Sequence, residues 1–280
     1  MTFVNKSKKA ISLIFTAIAI FVTIISIFPL AWMIISTFKN SKEILKANPL
    51  RFFPTVWTTE NYSKLLSDTT YPFIQAFFST SFVAISSAIL SVTINSMAAY
   101  SFARLEFFGK ISLWRYTIFA MYIPGITILV TSFVVVNHLG MLDSYSVLIL
   151  PGLAGAYSIF FFRQFFLAMP MAVEEAALID GASRFRIFWN IFIPNSKSPF
   201  VIMGTGAFLA YWNSFLWPAM TVTSPKYMQV MQVIRSFNNM YANSYGVVLA
   251  GSAIAALPPV ICFLIFQKHI VKGLMISGIK

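Results

Sequence analysis

Residues 69–103 read TTYPFIQAFFSTSFVAISSAILSVTINSMAAYSFA, thirty-five positions without an Asp, Glu, Lys or Arg. A helix needs about 20 mostly apolar residues to cross the hydrocarbon core of a bilayer. This stretch is long enough to do so with turns to spare. Five further charge-free windows flank it, at 10–38, 116–142, 144–162, 198–225 and 236–267. Together they place six helices near 12–35, 74–99, 116–136, 146–166, 200–220 and 247–266. The expected fold is therefore all-α, a polytopic membrane protein with six transmembrane helices. Composition agrees: 58% of the 280 residues are hydrophobic and 10% are charged, against about 25% charged in ordinary soluble domains.

Two of the windows admit a second reading. The fourth is the shortest and carries Pro151, Gly152 and Gly155 in its first half, as a re-entrant segment would. Against that, Val147 to Phe162 is almost wholly apolar and ends at Arg163, which can snorkel to the headgroups. The first follows Lys6, Lys8 and Lys9 as a signal peptide does, but it is too long for an h-region and no small-residue cleavage site follows. It reads as a retained span.

With the N-terminus inside, thirteen basic residues fall on the cytoplasmic side and seven outside. The positive-inside bias then puts both termini in the cytoplasm. The net charge of +12 has a membrane explanation, and no soluble domain exists to carry a nucleic-acid-binding face. A lone Cys262 excludes an internal disulfide or a cysteine zinc cluster, and His138 and His269 leave little for a histidine metal site. No Asp, Glu, Lys or Arg sits within the six windows, which weighs against a proton pump or a voltage sensor. Ser79, Ser81, Ser86, Ser87, Ser91, Thr93, Asn95 and Ser96 stud the second span. They serve either helix packing or a lining for a polar solute. Tyr211, Trp212 and Asn213, with Trp217-Pro218 just beyond, are either an interfacial aromatic belt or a candidate substrate path where rings stack on sugars and an amide meets hydroxyls.

The chain reads as a single transmembrane domain over 1–280 with two substantial connections. The outer one, 37–73, is expected to be extended, with a short helix from Glu60 to Leu66. The inner one, 167–199, contains MPMAVEEAALIDGASRFRIFWNIFIPNSKSP from Met169. Pro170 suits a first helical turn, Glu174 and Glu175 favour its positive end, and Gly181 is a natural break. Ser183 can cap a second helix from Arg184 to about Phe192, ended by Pro194. Ala176, Ala177 and Ala182 keep the surface small. Glu175, Asp180, Arg184 and Arg186 give a charged rim, and Phe185, Phe188 and Trp189 an apolar anchor. The residues alone leave open whether this pair docks into a protein groove or rests on lipid.

The stretch resembles the cytoplasmic loop of bacterial ABC importer permeases. That loop reads Glu-Ala-Ala, three residues, Gly, nine residues, Ile, one residue, Leu-Pro. Glu175-Ala176-Ala177, Gly181, Ile191 and Pro194 stand at that spacing, with Ile193 in place of Leu. The fuller form from Glu175 to Ala182, with Asp180-Gly181-Ala182, is similar to the carbohydrate branch and to the smaller permease of maltose-type systems. Trp212-Asn213, Phe215-Leu216-Trp217-Pro218, Phe266-Gln267, Lys272-Gly273-Leu274 and the ending Gly278-Ile279-Lys280 fit the same family. The resemblance implies a bacterial inner-membrane subunit that forms half of a sugar path and catalyses no bond change. Its implied partners are a second related permease, two cytoplasmic ATPase subunits, an extracytoplasmic solute-binding protein, the sugar and membrane lipid, with no nucleic acid. ATP and Mg would be held by the ATPases, and no cofactor by this chain. Glu174, Glu175, Ala176, Ala177, Asp180, Gly181, Ala182, Arg184, Phe185 and Phe188 would form the ATPase-docking loop, with Glu175 anchoring it and Gly181 permitting its bend. Segments 39–72 and 221–246 would face the binding protein, or simply water. A permease for a non-sugar solute and a secondary transporter are the alternative readings.

Overall fold

The computed structural model describes residues 2–44, 51–240 and 245–278. Ile279 and Lys280, and parts of the 39–72 and 221–246 segments, which entered the reading above, lie outside them. Every regular element among the described residues is helical. The chain divides into two compact units, Met1–Phe73 with Ile234–Ala256, and Ile74–Val233 with Leu257–Lys280.

The first unit opens with α1, Thr2–Ser36, whose apolar part Ser12–Ser36 is long enough to span. Residues 12–30 are exposed throughout, and Phe28 and Trp32 near its end stand beside Phe52, ring centres 5.8 Å away in both cases. A short α2, Ser41–Ile44, was not anticipated. The expected helix after it is α3, Glu60–Ser67, steadied by a Glu60–Lys64 ion pair one turn apart at 2.7 Å. Asn61 organises this unit. Its buried amide donates to the carbonyls of Thr37 at 2.7 Å and Lys39 at 2.9 Å. Gly246 lies so close that a Cβ there would come within 2.3 Å of the Asn61 carbonyl oxygen, so only glycine fits. Lys39 is buried as well. Its ammonium sits 3.9 Å from the centre of the Trp32 ring and donates to the Arg51 carbonyl at 2.6 Å, which satisfies a charge that burial would otherwise penalise.

The second unit is built around α4, Phe73–Arg104. It continues with α5, Lys110–Ala120, a 3₁₀ turn over Gly125–Ile128, and α6, Leu129–His138. The third window is thus not one straight helix from 116. It begins at Lys110 and bends by 97° at Pro124, whose backbone is extended and which has no N–H to continue a helix. The fourth window comprises α7, Tyr145–Ile149, a 3₁₀ turn at Leu150–Gly152, and α8, Ala156–Leu167, with a 49° bend. Asn95, fully buried on α4, completes that bend. Its side chain donates to the Leu153 carbonyl at 2.8 Å and accepts from the Gly155 N–H at 2.9 Å. Two backbone groups freed by the broken helix are thereby paired, as they must be in a medium without water.

Next come α9, Met171–Ile179, and α10, Arg184–Ile187. A π-turn follows over Phe188–Phe192, then α11, Ile193–Asn195. The second loop helix therefore does not stop at Pro194 but runs through it to Asn195. Pro194 lacks the N–H that would bond four residues back and its ring crowds that carbonyl. The wider π-turn just before it relieves both demands. The fifth window falls on α12, Lys197–Trp212, and α13, Leu216–Thr221. Sixteen residues of α-helix rise about 24 Å, short of a full crossing. Among the described residues three helices are individually long and apolar enough to span, and five segments if each bent pair counts once. The chain continues through α14, Val230–Met240, and α15, Tyr245–Gly278, which contribute to both units.

Two more buried polar residues of α4 serve packing. The Ser79 hydroxyl receives the Gln229 amide at 3.0 Å, and the Thr80 hydroxyl receives the Val230 N–H at 2.8 Å. A second tie lies at the 137–145 turn. Asp143 has left-handed backbone, φ 52°. Its carboxylate accepts from the N–H groups of Thr223 and Ser224, both at 2.7 Å, and from the Thr223 hydroxyl at 2.8 Å. The Ser224 N–H chiefly, with the Thr223 groups, holds its pKa below the usual carboxylate range, against a smaller opposing effect of burial. A depressed carboxylate stabilises the fold above the ordinary Asp value of about 3.9 and loses that contribution as pH falls further. The difference in unfolding midpoint between wild type and Asp143→Asn should therefore be constant from neutral pH to about pH 5 and shrink below about pH 4. A constant difference down to pH 3 would show that the charge on Asp143 does not hold this turn.

Candidate functional site

The 167–199 loop folds as its sequence asks. Pro170 takes extended backbone as the N-cap of α9. At the other end the Ala182 N–H bonds to the Ala177 carbonyl at 2.9 Å and the Gly181 N–H to the Leu178 carbonyl at 3.0 Å. This is the Schellman pattern, which needs a left-handed residue at its bend. Gly181 supplies it at φ 78°. Open space surrounds the position where a Cβ would stand, so the demand for glycine here is conformational and not steric. The Ser183 hydroxyl then accepts the Arg186 N–H at 3.3 Å and caps α10.

The bend presents a definite face. Ile179 is 87% exposed and Phe185 62%. Glu175, Ala176, Asp180, Gly181, Arg184 and Arg186 are exposed around them, and Ala177 and Ala182 half-buried. Two residues expected on this face are not there. Phe188 is 2% exposed and packs inward against Tyr100 and Phe166, with ring centres 5.5 and 6.5 Å away. Trp189, partly exposed, stands beside Phe185 instead, ring centres 6.0 Å apart. Glu174 is 3% exposed. On a helix its neighbour Glu175 points about 100° away, so only one of the pair can face out.

Glu174 is the centre of a buried ionic cluster. Its carboxylate accepts from the Tyr100 hydroxyl at 3.3 Å and from the Arg184 guanidinium, and faces the Arg104 guanidinium at 3.6 Å. Arg104 itself donates to the carbonyls of Phe166 at 2.6 Å and Met169 at 2.5 Å. It stands 5.3 Å from the centre of the Phe192 ring. Tyr100 and Arg104 were invisible to sequence reading. They lie some seventy residues before Glu174, and the one available sign was that Arg104 ends the long charge-free window.

The three candidate path residues separate in the structure. Tyr211 lines an open hollow of about 390 Å³ together with Gly125, Ser132, Pro151, Gly152, Ser214 and Trp217. Its hydroxyl reaches the Ile149 carbonyl at 3.4 Å and lies where a Cβ on Gly152 would collide with it. Trp212 is 1% exposed and packs against Phe77 and Phe208, ring centres 5.4 and 5.7 Å away, so it does not face the hollow. Asn213 is exposed at the end of α12, outside that lining. A larger furrow of about 610 Å³ between α4, α12 and α15 is walled by Ile85, Ile89, Phe208, Pro258 and Ile261 among others. Its wall is almost entirely apolar and offers little to a hydroxylated solute. Among the described residues no group of His, Cys, Asp and Glu is arranged to hold a metal ion.

The model of the binding-protein-dependent transport system inner membrane component family matches residues 92–276, and the chain belongs to that family. The chain is 31% identical over 265 residues to the trehalose/maltose transport system permease protein MalG of Thermococcus litoralis, covering 94% of each. It is 30% identical over 259 residues to the arabinooligosaccharides transport system permease protein AraQ of Bacillus subtilis, covering 92% of each. It is 29% identical over 268 residues to the diacetylchitobiose uptake system permease protein NgcG of Streptomyces coelicolor, covering 94% of this chain and 87% of that one. Its fold superposes with a TM-score of 0.81 on a chain from the crystal structure of a bacterial ABC transporter involved in the import of the acidic polysaccharide alginate. Identity there is 18%, over 94% of this chain and 98% of the other.

Proposed function

We propose that this chain forms half of the membrane path of an ATP-driven, binding-protein-dependent importer of oligosaccharides. Six crossings with both termini in the cytoplasm give the topology, and 1–280 acts as one transmembrane domain. A second related permease supplies the other half. Two ATPase subunits, which hold the ATP and Mg, dock on the inner loop. A solute-binding protein delivers the sugar to the outer segments. The observation that carries the docking role is the bend at Gly181, which fixes Ile179 and Phe185 on an exposed apolar tip between Glu175, Asp180 and Arg184. Apolar anchors ringed by polar groups are the usual anatomy of a protein interface. The sugar assignment is supported by relatives named for trehalose/maltose, arabinooligosaccharides and diacetylchitobiose, matched over nearly the whole chain. Tyr211 and Trp217 at the hollow, with Ser132 and Ser214, offer rings and hydroxyls to such a solute.

The test is reconstitution with the adjacent-encoded permease, ATPase and binding protein, followed by ATP hydrolysis against a panel of oligosaccharides. One sugar should stimulate the wild-type complex. Gly181→Asp places a side chain in left-handed backbone, at about 1–2 kcal/mol for an ordinary L-residue, and adds a charge at the tip. It should abolish the stimulation. Stimulation that survives Gly181→Asp would remove the docking role from this bend. An assembled complex that answers no sugar would move the substrate to another class.

A further inference from the structure

We propose that Glu174 is the residue through which movement of the inner loop reaches the membrane: a positioning residue that locks both loop helices to the inner end of α4. This rests on the docking role proposed above. By chain connectivity α8 leads into the loop and α12 leads out of it, and they would be the obvious levers. The buried carboxylate selects a different one. From α9 it reaches forward across the Asp180–Gly181 bend to Arg184, the first residue of α10. It also reaches sideways to Tyr100 and Arg104 in the last turns of α4. The first contact braces the angle between the two loop helices at its softest joint. The second fastens the braced pair to a helix of thirty-two residues. Arg104, by binding the Phe166 and Met169 carbonyls, gathers the foot of α8 into the same joint. A carboxylate that is 3% exposed and faces two guanidiniums cannot leave them without being stranded as an unpaired charge. The loop therefore cannot swing about Gly181 independently of α4, and a pull on its exposed face displaces α4.

The experiment is hydrogen–deuterium exchange on the assembled complex in nanodiscs, with and without ATP and orthovanadate, comparing wild type, Glu174→Gln and the double variant Glu174→Leu with Arg104→Met. Peptides covering 175–189 report docking, and peptides covering 96–106 report the inner end of α4. In wild type the ATPases should protect the loop, and nucleotide trapping should change exchange at the end of α4. In Glu174→Gln the loop should remain protected while the nucleotide response of α4 falls roughly fivefold or more, the lower range of coupling between sites. A side chain with a merely structural role would lower both signals together. The double variant Glu174→Leu with Arg104→Met removes the ionic joint with no unpaired charge left behind and touches nothing on the exposed face. It decides the matter if Glu174→Gln does not assemble: it should weaken the α4 response in the same direction. An α4 response that persists in both variants, or is absent in wild type with the loop protected, overturns the inference and leaves docking intact. A wild-type loop that gains no protection from the ATPases overturns the docking role itself.

Discussion

Arg104→Met should lower the unfolding midpoint of the purified protein more than any substitution on the exposed face of the loop. The Arg104 side chain is 4% exposed. It neutralises a buried carboxylate and caps carbonyls at the negative end of α8. Breaking a buried ion pair outright costs about 3–5 kcal/mol. Glu174 keeps Arg184 and Tyr100, so its share falls below that, while the buried Phe166 and Met169 carbonyls lose their donor as well, at about 1–3 kcal/mol each. That is a large part of the 5–15 kcal/mol that ordinarily holds a domain folded, taken as an order of magnitude. Arg104→Lys keeps the charge but not the spread of nitrogens that lets Nη2 serve both carbonyls while Nε faces Glu174, and should fall between. Adding Glu174→Leu to Arg104→Met removes the carboxylate as well and should restore its share of the loss, since replacing both members of a buried pair by apolar groups is often near neutral. If Arg104→Met melts at the wild-type temperature, or the double variant is worse than the single, the ionic cluster is not what holds this joint.

Much of this architecture is legible in the sequence because charge is excluded from long windows and returns at their ends. Glycine at 181 and serine at 183 announce the bend and the cap, and both stand where they are expected. What is lost is direction. Glu174 and Glu175 are chemically identical neighbours, and only tertiary packing decides which one α4 draws inward. The same holds for Phe188 and Trp189, and for Tyr211 and Trp212, adjacent positions that turn to opposite surroundings. Breaks are legible as punctuation but not as geometry. Pro124-Gly125 signals an interruption, yet the 97° angle depends on what packs around it. Pro194 signals an ending, yet the chain widens into a π-turn and continues. The polar residues of α4 carry the same ambiguity. Asn95 reads equally as solute lining or as packing until the unwound residues it serves, fifty-eight and sixty positions away, are seen.

Asn95→Leu is the second substitution expected to act strongly, and it tests that assignment. Leucine matches the amide closely in size and suits a helix facing lipid or protein, so sequence reasoning alone would call the change harmless or favourable. The structure says otherwise. The Leu153 carbonyl and the Gly155 N–H would lose their partner in a buried place, and each such loss costs about 1–3 kcal/mol. The segment has two escapes. It can close the break by extending α8 backwards, but Pro151 has no N–H to donate and blocks that route. It can otherwise open, so exchange of amides over 150–158 should rise sharply while the rest of α4 stays protected. Ser91→Ala removes a hydroxyl that the same amide also contacts, at 3.0 Å, but strands no backbone group, and should cost well under about 1 kcal/mol. Unchanged exchange over 150–158 in Asn95→Leu would mean that the bend is set by Pro151 and its neighbours alone. A rise confined to those residues, with Ser91→Ala silent, would establish that a single amide on α4 keeps the fourth span broken, and with it the wall that Pro151 and Gly152 lend to the hollow beside Tyr211.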